Sequence, residues 1–214
     1  ALSDKLVAAL GDTERKNILD FRQLSMSGVF ENDVFDISER FSGSSNIIDY
    51  GRIANLRIVS LSDYNRISGK SETLAENEVL LHALRTDYGL KTISLGSVET
   101  FTVKKTLDAM PLADGSGAEI SPTITLVVSD FDKTAERLVD GAGEYVVRLK
   151  WICDFDCSDE LEDQDKVCNM IAAASENGEF SDKDGSSGWQ YLSYESRAAE
   201  YADFAAVYGG LFFL

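Results

Sequence analysis

Proline is nearly absent, with two residues in 214, and no long polar tract stands beside them. A flexible linker is thereby excluded, so the chain reads as a single domain over 1–214 or as two intimately packed lobes. Basic residues are also scarce: 20 Lys and Arg face 37 Asp and Glu, a net charge of −17. Nucleic acid is excluded as a partner, because binding it relies on a basic footprint that releases counterions. Cysteine is limited to Cys153, Cys157 and Cys168, an odd number that makes no complete disulfide framework. Together with the single histidine, His82, these residues do not supply the four spaced ligands of a structural zinc site. They read as small buried hydrophobes. No apolar run reaches about 18 residues, so nothing within the chain spans a bilayer by itself. No signal peptide stands at the front, and Ala1 in place of Met marks either a processed N-terminus or an excised piece. No period of about 20–50 residues points to a solenoid.

What is present is ample for a core: 44% hydrophobic and 10% aromatic residues. Leu2, Leu6, Val7 and Leu10 share one helical face, with Gly11 placed to end that helix. Thr13–Leu24 reads as a continuation in helix, and Ser25–Ser45 as strand and loop. Ile53–Ser60 is a strand, and Ser60 with Asp63 three residues on forms a cap for a short helix, Leu61–Ile67, stopped by Gly69. Val79–Leu81 is a buried strand, and Thr92–Val103 holds two more. Thr123–Val128 leads through Ser129 and Asp130 into a helix reaching Val139, which Gly141 terminates. From Tyr145 to Phe155, apolar and largely polar residues alternate strictly, the pattern of a strand with one apolar face. Ser158 then caps an acidic helix whose inner face is Leu161, Val167, Cys168 and Ile171, ending at Asn177-Gly178. Trp189–Tyr194 is a further strand, parallel to the earlier one if a right-handed crossover joins them in one sheet. A last helix runs from Glu195. The fold class is α+β: a mixed β-sheet with packed helices, a C-terminal β-α-β unit and a terminal helix directed toward a membrane.

Chemistry is hard to find. His82 has no nucleophile motif of the G-x-S-x-G kind to serve, and no phosphate-binding loop G-x-x-x-x-G-K-[ST] is present. Asp154-Phe155-Asp156-Cys157-Ser158-Asp159 alternates oxygen ligands as calcium loops do, but it lacks the turn glycine and the twelfth-position Glu. Its acids are explained as helix-capping charge. Asp182-Lys183-Asp184-Gly185-Ser186 begins like a calcium loop and reads equally as a solvated turn. A pair of carboxylates for glycoside hydrolysis is not singled out by any spacing. Tyr50, Tyr64, Tyr88, Trp151, Trp189, Tyr191 and Tyr194 read as core aromatics before ligand contacts. No catalytic, cofactor-binding or metal residue is assigned.

Ile58-Val59-Ser60-Leu61-Ser62-Asp63-Tyr64-Asn65-Arg66-Ile67-Ser68-Gly69-Lys70, followed by Leu74 and Glu76-Asn77-Glu78-Val79-Leu80-Leu81, resembles the extracellular region of FtsX-like ABC transporter permeases of Gram-positive bacteria. Glu195-Ser196-Arg197 through Phe204, then Tyr208-Gly209-Gly210-Leu211-Phe212-Phe213-Leu214, is similar to the helix that enters a transmembrane segment in that family. From Ala205 on, this tail carries no charge, so residues 195–214 are expected to lead into a membrane segment beyond Leu214. The resemblance implies a non-catalytic domain on the extracellular face of the cell membrane, in a permease subunit served by a cytoplasmic ATP-binding partner. Relatives of the bacitracin and lantibiotic resistance type use such domains with peptide antibiotics or their lipid-linked targets. Others couple ATP use mechanically to extracytoplasmic proteins. An acidic surface suits a cationic peptide. The alternative is a free-standing secreted ligand-binding protein or a carboxylate-dependent hydrolase.

Overall fold

A computed structural model describes residues 10–11, 16–31, 33–37, 53–112, 122–142, 147–156 and 161–176. The chain divides into two compact units, one made of residues 1–18 and 153–214 and the other of residues 19–152. The delimited strands are β1 (Lys16–Glu31), β2 (Val34–Asp36), β3 (Ile53–Ser60), β4 (Glu78–Leu84), β5 (Thr92–Leu95), β6 (Glu99–Thr106), β7 (Thr123–Val128) and β8 (Arg148–Asp156). The helices are α1 (Leu61–Ser68), α2 (Phe131–Ala142) and α3 (Leu161–Glu176). This is an α+β fold on a mixed sheet. None of the described helices is long and apolar enough to cross a membrane.

The strands follow the order β2-β5-β6-β4-β7-β3-β1-β8, and β2 pairs with β1 as well as with β5. That additional pairing closes a ring of seven strands, with β8 beside β1. Three pairs in the ring are parallel, β3–β7, β4–β6 and β5–β2, and the rest antiparallel. Alternation then sorts every strand into an inner and an outer set. Leu24, Leu56, Leu81, Ile93, Phe101 and Leu126 belong to the inner core and are at most 1% exposed. β7 is buried along both faces, as a strand at the centre of such a layered structure must be.

Closure rests on Gly28. In β1, Val29 lies opposite Asp36 and Phe30 opposite Phe35. A Cβ on Gly28 would overlap the Asp36 carbonyl oxygen and lie 2.7 Å from Phe35 Cε1. Only glycine lets β2 approach this closely. A bulge elsewhere keeps charge out of the ring: Val79 pairs with Val103 but Leu80 with Lys105, so Lys104 is the extra residue. Without it, period two would turn Lys105 inward beside Phe101 and Val103.

α2, about 18 Å long at 1.5 Å per residue, contributes Phe131 and Leu138 to the inner core. Its first turn is tied to β1, where Arg22 donates to both Asp132 carboxylate oxygens at 2.8 and 3.2 Å and lies 4.9 Å from the Phe131 ring centroid. Further along, Arg137 donates to Glu99 at 2.7 and 2.9 Å, and Lys133 to Glu76. These pairs lie at the surface, where water and salt screen them, so they chiefly orient the helix.

The outer face of β3, β7 and β4 carries Val59, Val127 and Leu80 in a second apolar cluster with Phe21, and the fully buried Tyr64 of α1 joins it. Ser60 caps α1 as its spacing predicts, its hydroxyl accepting from Asp63 N at 3.0 Å, and Gly69 ends the helix at φ +67°. Asn65 fixes the following loop by a reciprocal pair, donating to Glu72 O at 2.8 Å and accepting from Glu72 N at 2.9 Å.

Three expectations require correction. Of the helix expected over Thr13–Leu24, the part from Lys16 on is instead β1, in which Leu24 and Met26 face the inner core while Phe21 faces the outer cluster, the alternation of a strand. Gly141 does not stop α2 but lies within it. A Cβ there would overlap a Val98 methyl and lie 2.8 Å from the other, so the glycine serves close packing. On β8, the apolar side is not a buried face throughout: Leu149 is 62% exposed. Gly11 has φ +54°, fitting a helix end after Leu10. In α3, Val167 and Ile171 are buried and Cys168 half-buried, with Gln164 joining them. The opening helix over 2–9, the Ser158 cap, the 189–194 strand and the helix from Glu195 lie outside the described residues.

Candidate functional site

Register converts scattered polar residues of the 19–152 unit into one surface. On its outer side, Ser25 of β1 lies opposite Arg57 of β3, Arg57 opposite Thr125 of β7, and Thr125 opposite His82 of β4. One step along, Ser27, Asn55, Thr123 and Leu84 form a second row. On the other side of the first row come Gln23, Val59, Val127 and Leu80, the edge of the apolar patch that α1 covers. The three rows contain no Asp or Glu, in a chain that has 37.

Burial grades this surface. Thr123 and Thr125 are 1% and 3% exposed and make its floor, while Ser25, Ser27, Asn55, Arg57 and His82 are half-buried. Ser27 donates to Asn55 Oδ1 at 3.1 Å, leaving the Asn55 NH2 group available as a donor. Gln23 is fully buried and donates to Ser25 Oγ at 2.8 Å, while its Oε1 has no partner. Turned over, the amide would accept from Ser25 and leave its NH2 unpartnered instead. Either way one buried amide atom is unsatisfied, a situation that costs about 1–3 kcal/mol until something meets it.

Among the described residues these rows do not bring a nucleophile within reach of a base. Ser25 and His82 are three strand spacings apart, about 14 Å, beyond the reach of a nucleophile and its base. Thr125, the hydroxyl opposite His82, is buried. The described carboxylates with displaced pKa values all move downward: Glu72 through its Lys105 hydrogen bond, Glu76 through Lys133, and Glu78 through the Ala75 backbone N–H. A general acid for glycoside hydrolysis needs the opposite displacement.

Other candidates fall elsewhere. Asp154 and Asp156 sit within strand β8, and Cys157–Asp159 and Asp182–Ser186 lie outside the described residues. Among the described residues no cluster of three or more His, Cys, Asp or Glu side chains fit for a metal occurs. Cys153 and Cys168 are half-buried, and Cys157 is outside the described residues. Tyr64 and Tyr88 are buried and Trp151 half-buried, its indole N–H donating to Asp20. Tyr50, Trp189, Tyr191 and Tyr194 are outside the described residues.

Sequence reasoning read His82 alone and missed Arg57 and Thr125 altogether. The available signal was the polar half of two otherwise apolar strands, Asn55 and Arg57 in β3 and Thr123 and Thr125 in β7. Compared with models of known protein families and with characterised protein sequences, the chain matches none.

Proposed function

We propose that this chain is a non-catalytic extracellular domain of an FtsX-like ABC transporter permease subunit, which binds a ligand or partner and couples that event mechanically to membrane helices. The observation that carries the reading is connectivity. The 19–152 unit is an insertion: the chain enters it within β1 and leaves it within β8, while residues 1–18 and 153–214 belong together in the other unit. In the order of the sheet β1 and β8 are neighbours, so a strain applied to the unit holding both chain ends enters the ring through two adjacent strands. The Ile58–Leu81 stretch supports the same reading, being one continuous piece of structure: the end of β3, the Ser60-capped α1, the loop held by Asn65, and the start of β4.

Charge favours a cationic peptide as the ligand. Residues 153–214 hold fourteen Asp and Glu against three Lys and Arg, so that stretch carries eleven of the seventeen net negative charges. Long-range steering toward it is salt-dependent. The domain stands outside the cell at the membrane, with a cytoplasmic ATP-binding subunit as partner through the rest of the permease. Co-purification tests this: the full-length gene product, solubilised from membranes in mild detergent, is expected to bring an ABC-type ATPase with it. Purification of the protein alone from the culture medium, with no membrane-bound pool, contradicts it and favours a secreted binding protein.

A further inference from the structure

We propose that β8 is a self-association edge, on which a second copy of this chain lays its own β8 antiparallel and extends the sheet across a two-fold axis at Trp151. This interface goes beyond the permease reading and stands without it. In the order of the sheet β8 comes last, and among the described residues it is paired on one side only, with β1. Such an edge offers a row of backbone N–H and C=O groups to any strand that can pair with it. Arg148, Leu149 and Lys150 are exposed in succession. Because successive residues of a strand point to opposite faces, both faces of β8 are open to water there. Leu149, 62% exposed, is the most exposed large apolar residue among those described.

Charge along the strand selects a second copy as the occupant. Arg148 and Lys150 stand in its first half and Asp154 in its second, so a copy laid parallel sets like charges side by side, whereas an antiparallel copy sets cation against carboxylate. Lys150 is already engaged within its own chain. Arg148 and Asp154 are both exposed, and among the described residues neither has an ion-pair partner. The antiparallel register centred on Trp151 places each Arg148 directly opposite Asp154 of the other copy, once on either side of the axis.

The same register covers the exposed apolar surface. Trp151 meets its own copy at the axis, and Leu149 of each chain lies diagonal to Trp151 of the other, within the reach of a large ring. Trp151 is half-buried with its indole N–H donating to Asp20, so the ring is held before a partner arrives and loses little freedom on binding. Two chains of net charge −17 repel each other at long range, and the basic half of β8 gives the acidic half of its copy a local attraction. Paired residues 148–154 make a small interface, so the expected association is reversible, with a Kd of about 10–200 µM.

Sedimentation velocity of the 214-residue chain across about 5–500 µM tests this, with a monomer–dimer shift as the expected result. Arg148→Glu and Asp154→Lys, each reversing one exposed charge, are expected to weaken dimerisation at least tenfold. The double variant restores opposite charges across the axis and should return to within threefold of wild type. Should either variant fail to fold, hydrogen exchange of the wild type decides: amides of residues 148–154 directed away from β1 should gain protection only at concentrations where the dimer forms. A monomer throughout the range refutes the interface. So does a dimer indifferent to both reversals, or one weakened by both without recovery in the double variant. Protection of every amide in 148–154 at all concentrations refutes it as well, since another segment of the same chain would then occupy the edge.

Discussion

Replacing Gly28 with alanine probes the closure of the ring at its tightest point. The added methyl would collide with the Asp36 carbonyl oxygen and sit 2.7 Å from Phe35 Cε1, with the Asp36 carbonyl carbon at 3.1 Å. Two of those three atoms are backbone, so no side-chain rotation relieves the overlap, and Phe35 is itself fully buried. Relief requires β1 and β2 to separate. Overpacking of this kind costs about 1–3 kcal/mol, and losing the short β1–β2 ladder adds about 1 kcal/mol per hydrogen bond. The sum is about 2–4 kcal/mol, and at about 3 °C per kcal/mol for a unit of this size the melting temperature should fall by about 6–12 °C. Gly89→Ala is the control: nothing lies within 4 Å of its Cβ position and its φ is not positive, so its effect should lie within about 1 kcal/mol of zero. Thermal unfolding followed by circular dichroism measures both. Hydrogen exchange should show lost protection in residues 34–36 of Gly28→Ala before β4 and β7 are affected. Equal melting temperatures for wild type and Gly28→Ala would refute the closed ring.

Gly141→Ala should destabilise by about 1–3 kcal/mol through its collision with Val98, and Val98→Ala in the same chain should recover part of that loss. A double-mutant cycle in urea checks the coupling, and strictly additive effects would contradict the contact. The Glu76 carboxylate is held below the usual range by its Lys133 hydrogen bond and then by the Lys133 and Arg137 charges. Its folded pKa is thus depressed, so its contribution is complete above the unfolded value of about 4.3 and is lost as pH falls through the folded value. Denaturation midpoints of wild type and Glu76→Gln should therefore differ at pH 6 and converge as the pH drops below about 4. A difference that does not narrow as the pH falls would show that Glu76 acts other than through its charge.

The parts of the fold carried by neighbours in sequence were legible, and those carried by distant pairings were not. Ser60, Asp63 and Gly69 announce α1 because a cap and a left-handed stop are local geometry. The apolar alternation in Thr123–Val128 announces a strand for the same reason. Thr13–Leu24 misled because its mixture of polar and apolar residues is compatible with a helix locally, whereas in β1 Phe21 and Leu24 serve two different cores. Ring closure depends on β2, three residues long, and on a parallel partner, β5, some 60 positions away. No local pattern encodes such a contact. The polar surface was hidden for a related reason: Ser25, Arg57, His82 and Thr125 come from four strands, and only register makes them neighbours. Gly141 shows the converse error, in which a residue typical of helix ends is present for what packs against it.

Protease treatment of intact cells producing the full-length protein tests the central claim most directly. If residues 19–152 belong to a domain outside the membrane that is tethered through the rest of a permease, an added protease should cleave this region in intact cells. The protein should also sediment with membranes throughout. Complete protection until the cells are lysed, or release of the uncut protein into the medium, would contradict the account.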